Sequence, residues 1–238
     1  MKVELLGVKI DDINQSQVLE KIEKWIWNSG KHYIVTPNPE ILMAAQKDQV
    51  LRKILNDADL SIPDGAGLKL SGKIKNTVPG IDLMEKLIAL SAEKGFTIGL
   101  LGGQKGVAER LKECLERRYQ NISAPIKSVS VKFASSGGEI DMTGKSISGE
   151  KIEIPKLDIL FVAFGHIKQE KWIKNNLNSL PIKVAMGVGG AFDYLSGNTP
   201  RAPKFIRDLG FEWLFRLIVQ PGRLIRQMAL IKYLLMIM

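Results

Sequence analysis

The chain is short of the residues from which several common kinds of site are built. It has one cysteine, Cys114, so an internal disulfide framework is excluded and the usage suits a reducing cytoplasm. Cys114 falls in the helical-looking run from Val107 to Tyr119 and reads as structural. There are two histidines, His32 and His166, and no His/Cys cluster has the spacing of a zinc site. Without a Gly-x-Ser-x-Gly elbow, a serine or cysteine triad has little support. No stretch approaches the ~20 uninterrupted apolar residues of a spanning helix. The most apolar end, 228–238, carries Lys232 at its middle, and Met1 to Ile10 has no apolar core of the kind a signal peptide needs. Acidic residues are also in deficit, 25 against 34 Lys and Arg, for a formal net charge of +9. Such a surplus points to anionic partners: phosphorylated substrates, acidic lipid or nucleic acid. Nucleic acid is disfavoured, because the basic residues of the tail stand among Leu, Ile and Met rather than base-stacking aromatics.

What remains is an ordinary apolar fraction of 45% in 238 residues, enough for one large domain or a core with an appendage. Strand-like runs at VELLGVKI, 31–36, DLSIP, FTIGLL, 126–131, LDILFVAF (157–164) and 182–188 alternate with helical patterns. Those helices are expected over 16–28, with Ser16 as N-cap, then over 41–45, 50–55, 81–94, 105–119 and 168–179. The alternation predicts an α/β fold: a mostly parallel, Rossmann-like sheet with helices on both faces. The stretch 127–155, rich in Ser, Gly and β-branched residues, has no helical period and reads as irregular or hairpin-like. Two units are expected, a catalytic domain over 1–209 and a C-terminal amphipathic helical appendage over 210–238.

In parallel sheets, functional groups gather beyond the carboxyl ends of the strands. Thr36, Asp64, Gly102, Gly165 and Gly189 all stand at such ends. Asp64, between Pro63 and a glycine, is presented on a tight turn and suits a general base; Asp-Gly is also ordinary turn or cap chemistry. Thr36 and Asn38 offer hydroxyl and amide groups to a sugar, or form a proline-punctuated turn. Gly102 and Gly103 open a GGxxG loop before a helix, which with Gly165, Gly189 and Gly190 makes a cleft able to cradle phosphate. Asp57-Ala58-Asp59 is formally a metal-binding DxD, but it precedes its strand instead of following it, so no metal is expected. In the tail, Leu224, Met228, Ile231, Leu235 and Met238 recur on one helical face, with Arg223 and Arg226 beside it. A helix of this kind either rests in an anionic headgroup layer or packs on the core or on a second copy.

Eight short blocks, in order, carry a resemblance: TPNPE (36–40), PDGAG (63–67), PGIDL (79–83), KQEKW (168–172), GVGGAFD (187–193), RAP (201–203), GFEWLFRL (210–217) and QPGRLIRQ (220–227). Over residues 1 to about 235 the chain resembles the WecG/TagA/CpsF glycosyltransferases, glycosyltransferase family 26. The resemblance implies an inverting enzyme, which the misplaced DxD and the lack of a ligand cluster make metal-independent, and no cofactor is expected. It implies transfer of N-acetylmannosamine from a UDP-sugar to the 4-hydroxyl of N-acetylglucosamine on undecaprenyl diphosphate, for a teichoic acid or related surface polymer. Such an enzyme is cytoplasmic and peripheral on the inner face of the cell membrane. Asp64 matches the family's catalytic aspartate, and Thr36 and Asn38 fall in its active-site pocket. Lys168, Gln169 and Glu170 match its KQE motif. Gln169 is expected to orient a substrate, and Lys168 to meet diphosphate charge. Arg216, Arg223 and Arg226 are expected where a lipid's diphosphate emerges. Two departures stand out. Gly165-His166-Ile167 replaces a usual Gly-x-Pro, and Thr77 replaces a common arginine, leaving Lys73, Lys75 or Lys168 as substitutes. His166 is either a catalytic group or a tolerated loop residue.

Two readings of other classes compete. Glycine-rich turns suggest a nucleotide-binding oxidoreductase, but the first βα turn has no G-x-G-x-x-G. The basic tail suggests a non-catalytic membrane adaptor, which would release no nucleotide from any sugar donor.

Overall fold

The computed structural model describes residues 1–104, 106–119, 126–129, 154–220, 222 and 224–237. The irregular stretch expected over 127–155 therefore lies almost wholly outside the described residues. The run VELLGVKI is two strands, not one. β1 (Lys2–Leu5) and β2 (Val8–Asp11) form an antiparallel hairpin. Leu6 and Gly7 both take positive φ, 50° and 76°, the tight turn whose twist matches a two-residue hairpin. The first helix, α1 (Gln15–Trp27), is capped by Asn14 and not by Ser16. The Asn14 side chain accepts from the Gln17 amide at 3.0 Å, and Gln17 accepts from the Asn14 amide at 3.0 Å, a reciprocal capping box.

Six parallel strands make the main sheet. They are β3 (His32–Val35), β4 (Leu60–Ser61), β5 (Ile98–Gly102), β6 (Ile126–Val129), β7 (Leu157–Ala163) and β8 (Ile182–Gly187), in the order β4-β3-β8-β7-β5-β6. β7 and β8 are apolar almost throughout because both faces are covered. On one face pack α1, α4 (Gly80–Lys94), α5 (Val107–Arg118) and α7 (Ala191–Leu195), through Ile22, Leu87, Leu111 and Phe192 among others. On the other pack the hairpin, α2 (Pro39–Lys47), α3 (Gln49–Asn56) and α6 (Lys168–Asn176), through Leu42, Leu51 and Trp172. The sheet and its two helical layers answer the expected architecture.

Beyond β8 the chain is helical: α8 (Lys204–Asp208), α9 (Glu212–Val219) and α10 (Leu224–Ile237). α10 lies along α2 and the 3₁₀ turn 66–71. Tyr233 is fully buried there, with Leu230, Leu234 and Ile237 against the same core. Leu230 comes within 3.2 Å of where a Cβ on Gly67 would stand, so the glycine makes room for the helix. The opposite side of α10 leaves Met228, Ile231 and Leu235 exposed by 50%, 56% and 72%. Apolar on both sides, α10 docks by one and offers the other. Among the described residues no helix is long and apolar enough to cross a membrane.

Candidate active site

Two loops hold Asp64 at the carboxyl edge of the sheet. After β3 the chain runs through buried Thr36 and Pro37 into Asn38, whose side-chain oxygen caps α2 by accepting from the Ile41 amide at 2.9 Å. After β4, Ile62 donates to the Val35 carbonyl at 2.8 Å, and Asp64 donates to the Pro37 carbonyl at 2.9 Å. Pro63 in turn accepts from Val78 at 2.9 Å, which brings in the start of α4. The Gly80 amide there hydrogen-bonds the Asp64 carboxylate. A Cβ on Gly80 would stand 3.5 Å from Thr36 Oγ1 and 3.6 Å from Asp64 Oδ2, so hydroxyl and carboxylate flank one point.

Burial pushes the Asp64 carboxyl up to about 6 from its ordinary 3.8. Arg216 works against this rise, Glu212 adds to it, and the Gly80 amide and His166 oppose it. Arg216 is itself held: its Nε donates to Glu212 Oε1 at 3.0 Å, and its guanidinium lies 4.8 Å from the centre of the Tyr194 ring. Glu212 faces Arg201 at 3.9 Å, Arg201 pairs with Asp82 at 2.6 Å, and Arg207 reaches the same carboxylate at 3.5 Å. A chain of alternating charge thus ties the first turn of α4 to α8 and α9, beside Asp64. Asp82, Arg201 and Glu212 were not singled out from the sequence. The signal was present, since they sit inside the PGIDL, RAP and GFEWLFRL blocks.

The glycine turns divide by role. At Gly102 (φ 94°) a Cβ would stand 2.7 Å from the Phe164 ring, so packing excludes it, and at Gly103 the positive φ (85°) favours glycine while a Cβ would crowd Phe192 at 3.2 Å. Gly165 (φ 84°) and Gly189 (φ 52°) have nothing within 4 Å of that position and face open space. Gly190 follows at the start of α7, near Tyr194. Lys168 is exposed at the first turn of α6, whereas Gln169 and Glu170 turn inward and are each 2% exposed. Gln169 Oε1 accepts from the Gly189 amide at 2.9 Å, and its Nε2 donates to Glu170 Oε1 at 2.9 Å. His166 lies 3.6 Å from Glu40, in the same loop as Ile167, whose φ is 70°. Thr77 is half-buried, while Lys73 and Lys75 are exposed on their loop. The side chains of Arg223 and Arg226 lie outside the described residues.

Asp57 and Asp59 sit at the opposite edge. Asp59 accepts from the Tyr33 amide at 3.0 Å and faces His32 at 3.1 Å, and Asp57 pairs with Lys174 at 3.2 Å. Among the described residues no group of three or more His, Cys, Asp or Glu is arranged to hold a metal ion.

A carboxylate that takes a proton near neutrality, with a guanidinium acting on it at the strand ends of a parallel sheet, can remove a proton from one reactant while positive charge meets another. The chain belongs to the glycosyl transferase WecG/TagA/CpsF family, whose model matches residues 3–238. It is therefore a glycosyltransferase. It is 34% identical over 230 residues to the N-acetylglucosaminyldiphosphoundecaprenol N-acetyl-beta-D-mannosaminyltransferase of Staphylococcus aureus strain MRSA252, covering 94% of this chain and 87% of that one. The proteins of the same description from strains NCTC 8325 and COL are 33% identical over the same shares.

Proposed function

We propose that this glycosyltransferase moves N-acetylmannosamine from a UDP donor to N-acetylglucosaminyl-diphospho-undecaprenol, with inversion, in the synthesis of a cell-surface polymer. The observation that carries the reading is Asp64, half-buried between Thr36 and the amide end of α4 with its proton affinity raised. The acceptor's 4-hydroxyl gives its proton to the Asp64 carboxylate as that oxygen bonds to the anomeric carbon. The bond from the anomeric carbon to the nucleotide breaks, and UDP leaves with the electron pair. Thr36 and the free amide nitrogen of Asn38 hydrogen-bond the sugars. Gly165 and Gly189, which face open space, leave room for the donor's diphosphate, with Gly102, Gly103 and Gly190 assigned beside them. Lys168 and Arg216 supply positive charge to the two diphosphates, with Arg223 and Arg226 assigned to the lipid's.

The acceptor is a lipid, and the C-terminal unit, 210–238, suits a place at its membrane. Trp213, Leu214, Ile218, Met228, Ile231 and Leu235 are exposed there, and from Trp213 onward the sequence has four basic residues and no acidic one. An anionic inner leaflet attracts such a surface. The test is UDP release against a panel of UDP-sugars, with and without a lipid-diphosphate-linked N-acetylglucosamine. Acceptor-dependent release from UDP-N-acetylmannosamine alone is expected. Release from another UDP-sugar would reassign the donor, and no acceptor-dependent release from any would reject the reading.

A further inference from the structure

Glu170 is the feature that the proposed chemistry leaves unused. A carboxyl at the third position of an exposed-looking first turn is usually solvated, yet this one is 2% exposed. Its Oε2 is buried without a hydrogen-bond partner, an expensive arrangement unless the other oxygen makes a contact that an apolar side chain could not make. Burial raises its proton affinity, and the Gln169 amide, its own backbone amide, His166 and the Ile167 amide oppose the rise. Its Oε1 is the acceptor for Gln169 Nε2.

That contact decides which way the Gln169 amide points. Glutamine presents an oxygen or a nitrogen depending on how its amide is turned, and a carboxyl oxygen can accept only from the nitrogen end. With the nitrogen bound to Glu170, the oxygen faces the Gly189 amide, which donates to it at 2.9 Å. The space is closed on the far side as well. A Cβ on Gly187 would stand 2.7 Å from Gln169 Nε2, so the side chain runs directly over the end of β8. The same helix turn is tied to the other open glycine: the Gln169 backbone amide donates to the Gly165 carbonyl at 3.2 Å.

We infer that Glu170 is a positioning residue, which sets the orientation of the Gln169 amide and through it holds the Gly165 and Gly189 turns in the shape that receives the donor's diphosphate. The inference rests on the reading of those turns as the donor's site. It places Glu170 out of contact with any substrate. Its influence falls on donor binding, not on proton transfer at Asp64.

The experiment compares Glu170→Gln with Glu170→Met in the full chain. It reads UDP affinity by calorimetry, donor KM and kcat, melting temperature, and hydrogen exchange at the Gly189 amide. Gln keeps an acceptor oxygen for Gln169, so UDP affinity and Gly189 protection stay within about twofold of the parent. Met fills the same volume without an acceptor. UDP affinity then falls about tenfold, as expected for one lost buried hydrogen bond, donor KM rises to match, kcat holds within about twofold, and Gly189 exchanges faster. If Glu170→Met does not fold, Gln169→Met/Glu170→Met is compared with Gln169→Met alone: both leave the Gly189 amide without its acceptor, so the two share one loss of UDP affinity if Glu170 acts through Gln169, and a further loss in the double variant overturns the proposal. Equal UDP affinity in the Gln and Met variants overturns the proposal, as does a loss confined to kcat or to melting temperature. Failure of the parent itself to bind UDP overturns the donor-site reading instead.

Discussion

At Asp64 the same burial that raises proton affinity decides both rate and stability. A base must be ionised, so kcat/KM is expected to rise with pH along a limb centred near 6. Arg216 lowers the carboxyl's proton affinity and Glu212 raises it, so Arg216→Ala moves the limb up and Glu212→Gln moves it down. A pH profile of the three proteins checks the sign, and coincident limbs would detach the charge chain from the base. Asp64→Asn is expected to cost on the order of 10²–10⁴ in turnover with UDP binding kept. Stability runs the other way. The fold favours the protonated acid, so the Asp64 contribution is present below about pH 4 and lost as pH rises through about 6. Asp64→Asn should therefore be at least as stable as the parent at pH 8 in a thermal melt. The residue itself was legible in the sequence, as a carboxylate on a glycine turn after a short apolar run. Its pairing was not: Arg216 reads as a partner for a substrate's phosphate and Glu212 only as part of a block, and with both about 150 residues away nothing local joins them to Asp64.

Among the elements, α10 is where periodicity alone fell short. Its apolar positions include Met228, Ile231 and Leu235 on one side, and Leu230, Tyr233, Leu234 and Ile237 on the other. A helix apolar on both sides has no pattern to say which side docks, and only the fit of Tyr233 against α2 and the 3₁₀ turn decides it. The two sides make separable predictions. Tyr233→Ala removes a large buried ring and should cost about 3–5 kcal/mol of unfolding free energy, measured in denaturant. Ile231→Glu/Leu235→Glu should leave the melting temperature unchanged and abolish sedimentation with anionic vesicles. Retained sedimentation would mean that α10 does not face lipid. Removing the whole helix confuses the two effects, since it also strips the cover from α2.

For the whole molecule, the order of apolar runs and breakers carried most of the architecture. β3, β5, β7 and β8 are short, largely apolar runs closed within two residues by Pro or Gly, and those ends lie along one edge of the sheet. The N-terminal hairpin escaped because its turn is Leu-Gly, and leucine at positive φ is a poor advertisement for a turn. The edges also separate the two acidic motifs. Asp64 is at the carboxyl edge, while Asp57 and Asp59 are occupied at the amino edge by Lys174, His32 and the Tyr33 amide. Turnover should accordingly survive excess EDTA. Loss on chelation with recovery in Mg²⁺ or Mn²⁺ would show that a metal acts at a place these motifs do not mark.

Ile167 has a bearing on how this chain and its relatives can interchange. Its φ of 70° is one that proline, locked near −65°, cannot adopt, and one that a β-branched side chain tolerates poorly. A Gly-x-Pro, the loop that the resemblance leads one to expect, could not take the backbone that Gly-His-Ile takes here. Exchanging the single residue, Ile167→Pro, is expected to disrupt the turn, whereas Ile167→Gly should relieve about 1–3 kcal/mol of strain. A chain drifting from one loop to the other would have to pass through glycine or change several positions together. Chimaeras that cut between Gly165 and Lys168 should fail more often than those that carry the loop whole.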